Sequence, residues 1–524
     1  MKKKIALFLA ACTTVLSACR NNVKTVQESL TWQERLSVEM VGDALAGEVP
    51  SPADRPDENG RTWYQVFVYS FCDSDGDGIG DLNGVTERLD YIAYTGFDGI
   101  WLSPIHTSAT YHKYDVDDYY SIDPAYGTME DFEQLVSACR ERGIKLILDL
   151  VINHTSIDHP WFKNNPEYYN ILDAPGNGNW KALPDGRYYE CQFWDRMPDL
   201  NLESVEVRAE LEKVFEFWLN KGVDGFRLDA VGEYISGNTA KNIEVLTWIN
   251  DAVKGIKPNA YLVGEFWNTT DAVYLYYQSG ADSFFAFPFA GADGIIARTL
   301  LRDLSAAGYL NRVVSAQNTI LENNPNGTAA PFFTNHDMAR ASGFLRRDGN
   351  LIKTAWGMSL MQPGDAFVYY GEELAMSGSG KDENKRVPML WTADETARGM
   401  TAGPPAMDSV SHSFPPAIEQ IGDEDSVYSY IRKAVLLRAK YPSIGRGDIK
   451  VLELSLSGDA AENAGAVSRT WNGETIFIYY NISSETLNLP SQGQLTDYLS
   501  ATGSAVIQGD SELLLPGYTI AITK

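Results

Sequence analysis

Short apolar runs alternate with amphipathic helical stretches along most of the chain, from residue 63 onward. Eight apolar runs end in polar residues, and they lie at positions 64–71, 99–104, 145–154, 225–230, 261–267, 282–287, 331–337 and 366–373. Strands that alternate with helices are typical of a parallel sheet with outer helices. This pattern predicts an α/β fold, a (β/α)8 TIM barrel, over residues 61–444. Since the carboxyl ends of barrel strands meet at one mouth, the polar residues that end these runs are the catalytic candidates.

Two regions depart from this rhythm. Residues 155–205 show no clear helical period but contain many aromatic residues, including Trp161, Trp180, Tyr188, Tyr189 and Trp194. We predict a loop-rich insertion, domain B, that follows the third strand and walls the mouth of the barrel. From residue 445 the pattern changes to alternating strands and turns, and Asn472-Gly473 is a strong hairpin signal. Residues 445–524 are therefore predicted to form a C-terminal antiparallel β-sandwich domain.

The amino terminus has the features of an export signal. Three lysines precede an apolar run at residues 5–11, and the tetrapeptide "LSAC" ends at Cys19. This pattern resembles the bacterial lipoprotein signal, in which cleavage leaves the cysteine to carry lipid. We expect residues 1–18 to be a signal peptide and the protein to be exported and lipid-anchored to the cell membrane at Cys19. A plain secretory peptide is the alternative interpretation.

The polar, Pro-rich and acidic segment at residues 19–60 is predicted to be a flexible tether. No later segment has the roughly 18 uninterrupted apolar residues that a bilayer crossing needs. The acyl chains are therefore the expected membrane contact.

Charge and cysteine content exclude some classes of protein. The formal net charge of -27 repels phosphate backbones, and no basic patch offsets it, so nucleic acid is not an expected partner.

If Cys12 is removed with the signal and Cys19 carries lipid, Cys72, Cys139 and Cys191 remain. Three cysteines cannot all pair, and we interpret them as packing residues, with one disulfide at most. The sequence does not predict an oligomeric state.

Acidic residues end several of the predicted strands. Arg227 and Asp229 are two positions apart in "GFRLDA", so they share one face of a strand. The cation is expected to keep Asp229 ionised, whereas apolar Phe266 and Trp267 beside Glu265 favour its protonated form. A charged and a neutral carboxyl group about 5 to 5.5 Å apart are what a retaining glycosidase needs.

Each of these motifs is weak alone, because an Arg-x-Asp pair on a strand is more often a structural ion pair. Four segments in order, however, resemble the four sequence regions of the α-amylase superfamily of glycoside hydrolases, and the resemblance extends over residues 63–524. They are "DLVINH" (149–154), "GFRLDAVGE" (225–233), "GEFW" (264–267) and "FTNHD" (333–337). The resemblance implies Asp229 as nucleophile, Glu265 as general acid/base and Asp337 as the acid that grips sugar hydroxyls.

The same resemblance implies a set of residues that bind the sugar at the cleavage point. Tyr114, in the segment "YHKYDVDDYY" (111–120), would stack under that sugar. Lys113 stands where the family usually has a glycine, which affects the shape of this loop. The complete set of substrate-binding candidates is Tyr114, His154, Arg227 and His336.

The segment "DSDGDGIGDL" begins like a calcium loop. The expected ligands are the side chains of Asp73, Asp75, Asp77 and Asp81 and the backbone carbonyl of Ile79. The helix-loop-helix calcium motif requires a glutamate at its twelfth position, where this chain has glycine. The segment instead resembles the calcium loop after the first strand in the oligo-1,6-glucosidase and neopullulanase-like branches. We expect a structural Ca²⁺ ion, and an exposed acidic turn is the alternative.

Three positions bear on the substrate. The segment "MPDLN" (197–201) resembles one found in a group between those two branches. Tyr111 stands where exo-acting α-glucosidases have aspartate, and Ala230 where many 1,6-specific relatives have valine. Both differences favour internal cleavage of α-1,4 bonds, and we expect hydrolysis of α-1,4-glucans such as starch or maltooligosaccharides with retention of configuration. The alternatives are an α-1,6-acting glucosidase, a neopullulanase, a glucanotransferase and, remotely, a non-catalytic surface starch-binding protein.

Overall fold

The fold was analysed in a computed structural model that describes residues 31–33, 60–301 and 303–524. The predicted signal peptide, Cys19 and most of the predicted tether lie outside the described residues. Within the described ranges, no helix combines the length and apolar character that crossing a membrane requires.

Eight parallel strands form the barrel at the centre of the fold. They are β1 (Thr62–Val66), β2 (Gly99–Leu102), β3 (Lys145–Leu150), β4 (Gly225–Leu228), β5 (Tyr261–Gly264), β6 (Ser283–Phe285), β7 (Thr328–Ala330) and β8 (Ala366–Tyr369). Neighbours follow the order β7-β6-β5-β4-β3-β2-β1-β8, and a parallel bridge between Phe332 and Phe367 closes the ring. The predicted TIM barrel is confirmed.

The seventh strand was predicted at residues 331–337, and this placement is wrong. The strand ends at Ala330, and the polar residues of "TNHD" lie in the loop that follows it. Pro331 has no N–H group to donate to a sheet ladder, which favours the end of the strand at this point. The other seven strands also end before their last predicted residues, so the polar side chains extend from loops at the mouth.

Helices cover the outside of the barrel. The longer ones are Leu82–Glu87, Leu89–Thr95, Met129–Glu141, Val205–Asn220, Thr239–Ile256, Ile295–Leu300, Ala306–Asn323, Gly349–Leu360 and Val427–Lys440. The short ones are Pro160–Asn164, Ala341–Phe344, Asp382–Lys385, Ala417–Gln420, Pro442–Arg446 and Asp459–Asn463. Turns of 3-10 helix lie at Val68–Ser70, Pro166–Tyr168, Asp271–Ser279, Phe287–Phe289 and Glu372–Leu374. Thr128 illustrates how local sequence starts a helix, since it forms a capping box with Asp131.

Aromatic rings fill the interior of the barrel. Trp63 on β1 stacks between Tyr261 and Phe367, with ring centroids 5.1 and 5.8 Å away. A side chain at Gly99 would lie 2.3 Å from the Trp63 ring, so this close approach requires glycine at the start of β2. The packed interior has no room for a ligand, so a binding site is expected at the mouth of the barrel.

The insertion follows β3, as predicted. It contains a small antiparallel sheet made of Ile171–Leu172, Trp180–Ala182 and Tyr188–Glu190. A separate hairpin joins His106–Ser108 to Val116–Ile122 ahead of β3. An isolated bridge between His154 and Asp199 joins the loop after β3 to the insertion, and a second bridge, between Tyr169 and Leu200, lies within the insertion.

The C-terminal part contains two antiparallel sheets, as predicted. The five-stranded sheet has the order Asp448–Val451, Ala464–Trp471, Glu474–Asn481, Thr519–Thr523, Leu495–Ser500. The three-stranded sheet has the order Leu487–Pro490, Glu512–Leu515, Ile507–Gln508. Asn472 and Gly473 form the predicted hairpin turn with φ angles of 48° and 81°, the positive values of a type I′ turn.

The three cysteines in the described part of the chain, Cys72, Cys139 and Cys191, are buried and unbridged. Burial raises the thiol pKa of Cys72 and of Cys139 to about 12. Both thiols therefore act as small apolar groups within the core.

Candidate active site

One guanidinium group lies at the centre of the barrel mouth. Arg227 on β4 is fully buried, and its Nη1 donates to Asp149 Oδ1 at 2.7 Å and to Asp229 Oδ1 at 2.6 Å. Its Nη2 lies 2.8 Å from Glu265 Oε1. Three carboxyl groups at the ends of β3, β4 and β5 therefore surround a single cation.

The register of neighbouring strands produces this convergence. Asp149 pairs with Arg227 across β3 and β4, and Glu265 donates its backbone N–H to the Leu228 carbonyl at 2.9 Å. After Asp229 the chain turns at Ala230, which has a φ of 48° and directs its N–H at Glu265 Oε2, 3.3 Å away. The side chains of Asp229 and Glu265 thus face the same side of the sheet.

Burial and the Arg227 guanidinium shift the pKa of the two carboxyl groups in opposite directions. It raises the pKa of Glu265, as predicted, and the Arg227 guanidinium opposes this shift. Burial also raises the pKa of Asp229 above its ordinary value, although Arg227 lowers it. Arg227 therefore only partly offsets the effect of burial on the pKa of Asp229.

Asp337 is held in a different electrostatic environment. Burial raises its pKa, but His336 and the guanidinium groups of Arg386 and Arg227 outweigh burial and hold the pKa well below its usual range. Arg386 Nη2 donates to Asp337 Oδ1 at 2.7 Å, and His336 Nε2 lies 3.0 Å from Asp337 Oδ2. This carboxylate is partly exposed to the mouth and remains charged, so it can accept hydrogen bonds from hydroxyl groups.

A hydrogen-bond chain orients His336. Gln65 on β1 places its amide nitrogen 2.7 Å from His336 Nδ1, so Nδ1 accepts and the ring proton lies on Nε2. Nε2 is 2.6 Å from the hydroxyl of Tyr114, which donates to Asp149 Oδ2 at 3.1 Å. The rings of Tyr114 and His336 are parallel, 5.5 Å apart. Burial lowers the pKa of His336, which favours this neutral form.

His154 lies at the base of the insertion, beside the mouth. Burial lowers its pKa to about 4, so the ring is neutral at ordinary pH. Its Nε2 is buried and has no hydrogen-bond partner among the described residues. The ring centroid lies 5.3 Å from that of Phe193. His154 therefore keeps one buried ring nitrogen that makes no hydrogen bond within the described part of the chain.

Three residues at this site were not singled out by the sequence interpretation: Asp149, Gln65 and Arg386. Burial raises the pKa of Asp149 to about 8, against the effect of Arg227. Asp149 and Gln65 are polar residues within strands that are otherwise largely apolar, and this pattern is a signal that could have identified them. Arg386 follows the short helix Asp382–Lys385, far along the chain, and no local pattern marks it.

The loop before Tyr114 tolerates lysine in place of the usual glycine. Lys113 has a φ of 64°, in the left-handed region that favours glycine. Its buried ammonium group lies 2.8 Å from Asp123 and donates to the Ser108 carbonyl at 3.3 Å. These contacts hold the Lys113 side chain in place beside a backbone in the left-handed region.

The acidic loop after β1 brings three of its carboxylates together. Ligand oxygens of Asp73, Asp75 and Asp81 lie within 4.8 Å of one another. Asp77 is outside this group, and its carboxylate accepts from the N–H of Ile79 at 2.7 Å. Carboxylate oxygens at this spacing fit Ca²⁺, a hard cation that prefers oxygen ligands. The residues present are therefore compatible with the expected ion.

Comparisons with known proteins agree with this geometry. The family model "Alpha amylase, catalytic domain" matches residues 65–447. Alpha-amylase 3 of Dictyoglomus thermophilum is 40% identical over 402 residues, which cover 74% of this chain and 79% of that protein. Oligo-1,6-glucosidase of Parageobacillus thermoglucosidasius is 30% identical over 516 residues, covering 81% and 90%. The solved structure of Eubacterium rectale Amy13B has a TM-score of 0.87 and 39% identity, covering 91% of this chain and 97% of that one.

Proposed function

The chain belongs to the alpha-amylase family, whose glycoside hydrolases and transglycosylases act on α-glucans, and from this premise we propose that it hydrolyses α-1,4-glucosidic bonds in starch or maltooligosaccharides with retention of configuration. The contact of one guanidinium group with both Asp229 and Glu265 carries this proposal. It keeps the two carboxyl groups close together on one side of the barrel. Such closeness supports the retaining geometry, in which they stand about 5 to 5.5 Å apart, over the wider inverting one.

In the proposed first step, a carboxylate oxygen of Asp229 attacks the anomeric carbon while Glu265 protonates the departing glycosidic oxygen. The covalent bond between Asp229 and the sugar replaces the bond that breaks. In the second step, Glu265 takes a proton from water, and the oxygen of that water displaces Asp229. The raised pKa of Glu265 suits a group that must first donate a proton.

The other polar groups bind and orient the sugar in this proposal. Asp337, held charged by Arg386 and His336, accepts hydrogen bonds from sugar hydroxyls. Tyr114 offers its ring as a stacking surface, and its contact with His336 fixes the orientation of that ring. His154 supplies its unpartnered Nε2 to a further hydroxyl.

The preference for α-1,4 bonds rests on finer features. The Tyr111 hydroxyl accepts from Arg386 Nη1 at 2.9 Å, at the position where exo-acting relatives have an aspartate. Without that acid, position 111 has no carboxylate that would select a terminal sugar. Ala230 has a smaller side chain than the valine that many 1,6-specific relatives have beside the nucleophile. The 40% identity to alpha-amylase 3 of Dictyoglomus thermophilum also supports the α-1,4 preference.

Product analysis tests the proposal directly. Maltoheptaose and pullulan are each incubated with the enzyme, and the products are separated by chromatography while proton NMR follows the anomeric signals. We expect shorter α-anomeric maltooligosaccharides from maltoheptaose. Products derived from α-1,6 cleavage of pullulan, or glucan chains longer than the starting material, would instead indicate a neopullulanase or a glucanotransferase. Initial release of the β-anomer would refute the retaining mechanism.

Two further proposals concern the rest of the chain. Asp73, Asp75 and Asp81 are proposed to hold a Ca²⁺ ion that stabilises the loop, with no part in bond cleavage.

Cys19 is proposed to carry the lipid that anchors the exported protein at the membrane. Incorporation of labelled palmitate into the wild-type protein, and its loss in Cys19→Ala, would support the anchor. Equal labelling of both proteins would refute it.

A further inference from the structure

The insertion carries a second concave surface outside the catalytic mouth. This pocket has a volume of about 550 Å³ and opens to solvent. Its lining includes Trp180, Lys181, Phe193, Trp194 and Asp195. The pocket thus presents aromatic rings among polar groups on a wide, open surface.

Two of its rings are unusually exposed for aromatic side chains. Phe193 is 52% exposed and Trp194 is 42% exposed, and the two are consecutive in the chain. Arg196 lies 5.8 Å from the centre of the Trp194 ring and is itself paired with Asp158 at 2.6 Å. This support holds the indole in place at the surface. Adjacent exposed rings of this kind commonly mark an interaction site.

The pocket is structurally continuous with the proposed reaction centre. Phe193 lines the pocket and also contacts His154, whose Nε2 is buried and unpartnered. The carboxylate of Asp199 accepts from the N–H of Gln192 at 3.1 Å, and the backbone of Asp199 is bridged to His154. The segment that carries the exposed rings is therefore fixed relative to the mouth.

The charges of the pocket indicate what it binds. Lys181 and Asp195 lie 3.1 Å apart and compensate each other, so the pocket has no unbalanced charge to attract an ionic ligand. Both side chains are exposed and can also hydrogen-bond to hydroxyl groups. A glucose ring presents apolar C–H faces to aromatic rings and hydroxyl groups at its edge, which matches this combination of side chains.

We propose that this pocket is a remote subsite that binds a glucose residue of the same α-glucan chain whose bond is being cleaved. The proposal rests on the proposed function, because it takes the α-glucan as substrate. If the pocket is such a subsite, the affinity for the substrate depends on the length of the glucan chain. Chains long enough to reach from the mouth past His154 to Trp194 gain binding energy, and the shortest substrates do not.

Substitutions at Trp194 test this inference in the full-length protein. We expect Trp194→Ala to lower kcat/KM for maltoheptaose by about tenfold, in line with the loss of one aromatic contact. We expect kcat/KM for the shortest maltooligosaccharide that the wild type cleaves to stay within a factor of two. Trp194→Phe should retain most of the activity on maltoheptaose, because it keeps an aromatic face.

Tyr120→Ala is the matched control, since Tyr120 is 38% exposed and packs on Phe217 outside the pocket. It should leave the dependence on chain length unchanged. An equal loss on short and long substrates in Trp194→Ala would overturn the proposal. The proposal would also be overturned if Trp194→Ala adsorbed less to insoluble starch but cleaved maltoheptaose like the wild type. That result would indicate that the pocket binds a separate glucan chain.

Failure of the proposed function gives a different result. If the wild type cleaves no maltooligosaccharide, the catalytic proposal fails, and calorimetric titration with maltoheptaose still tests the pocket. Weaker binding by Trp194→Ala than by Tyr120→Ala would then support the subsite. Equal binding by the two variants would refute it.

Discussion

Arg227 compensates several acidic groups at once and is the central residue of the candidate site. It is fully buried, contacts Asp149, Asp229 and Glu265, and lies with its guanidinium carbon 5.0 Å from the centre of the Trp101 ring. Removing one partner from a buried charge pair costs about 3 to 5 kcal/mol. Substitution of Arg227 is therefore expected to damage both folding and activity, so it cannot isolate a catalytic role.

Asp229→Asn separates chemistry from folding more cleanly. The amide oxygen can still accept a hydrogen bond from Arg227, but an amide cannot act as the nucleophile. We expect kcat on maltoheptaose to fall by roughly 10⁴-fold while the melting temperature changes little. Steady-state kinetics and circular dichroism measure the two effects. A folded variant with near wild-type kcat would contradict the assignment of Asp229 as nucleophile.

His106 makes the stability of the fold depend on pH. It is 1% exposed, packs edge-on against Trp218 and has no hydrogen-bond partner for either ring nitrogen among the described residues. Burial lowers its pKa to about 4, and nearby Asp118 only partly opposes this. The unfolded chain takes up this proton near pH 6.5, so the stabilising contribution is complete above that pH. It is lost progressively as the pH falls from about 6.5 to about 4.

His106→Phe removes this titration and keeps a ring in the core. Relative to pH 7.5, the wild type should lose about 2 kcal/mol more unfolding free energy at pH 5 than the variant does. Denaturant unfolding of both proteins at the two pH values gives these free energies. At pH 7.5, the difference in unfolding free energy between the two proteins measures the change in packing. The additional difference at pH 5 measures the effect of protonating His106 in the unfolded chain. The same difference at both pH values would contradict a neutral, buried His106.

Among the elements of the fold, the acidic loop after β1 is held by several hydrogen bonds to its own carboxylates. Asp73 accepts from the backbone N–H groups of Gly76 and Gly78, at 2.6 and 2.8 Å. Asp81 accepts from the N–H of Gly84 at 2.7 Å and so caps helix Leu82–Glu87. These bonds fix two buried carboxylates next to the exposed Asp75. A cation at this point would tie the loop to the start of the first helix.

Calcium is therefore expected to stabilise the protein through this loop. Adding Ca²⁺ to chelator-treated protein should raise the melting temperature by roughly 2 to 5 °C, since a ligand stabilises the state that binds it. Asp75→Asn should reduce this rise, because it removes a charge while keeping the acceptor for the Asp77 N–H. Differential scanning fluorimetry measures the shift.

Asp423→Asn is the matched control for the calcium experiment. Asp423 also accepts from the N–H two residues further on, at 3.0 Å, but it lies outside the acidic group. This variant should respond to Ca²⁺ like the wild type. Equal responses of all three proteins, or no response in the wild type, would exclude a calcium site at this loop.

The elements also show what periodicity can predict. The apolar runs in the sequence predicted all eight barrel strands, because a strand that is buried on both faces consists of consecutive apolar residues. They placed the seventh strand several residues too late, since "PFFTNHD" continues the apolar run beyond Ala330. The small sheet of the insertion was not predicted, because its strands are only two or three residues long.

For the whole molecule, the C-terminal sheets complete the core of the barrel domain. Val467, Ile478, Ile520 and Ile522 of the five-stranded sheet belong to the large core cluster that contains the barrel helices. The opposite face of the same sheet packs on the three-stranded sheet, with Leu513 in a second cluster. The five-stranded sheet is thus buried on both faces, and we expect it to unfold together with the barrel.

Removal of residues 448–524 is therefore expected to prevent folding of the barrel, because it exposes the apolar surface that the sheet covers. Gel filtration and an activity assay on maltoheptaose should detect aggregated, inactive protein. Calorimetry of the intact chain should show one unfolding transition. A soluble, monomeric truncated protein with wild-type activity would contradict this expectation.

The sequence by itself determined the barrel, the C-terminal β-sheets, the family and the placement of Asp229 and Glu265 directly after two neighbouring strands, whereas Asp337 lies in a loop beyond the end of β7. These features follow from local periodicity and from short motifs, which are properties of neighbouring residues. Only the tertiary structure brought Gln65 to His336 and Arg386 to Asp337, and only it showed that burial raises the pKa of Asp229 despite Arg227. The physical reason is that desolvation and long-range pairing depend on how the closed barrel packs, and no local pattern encodes them.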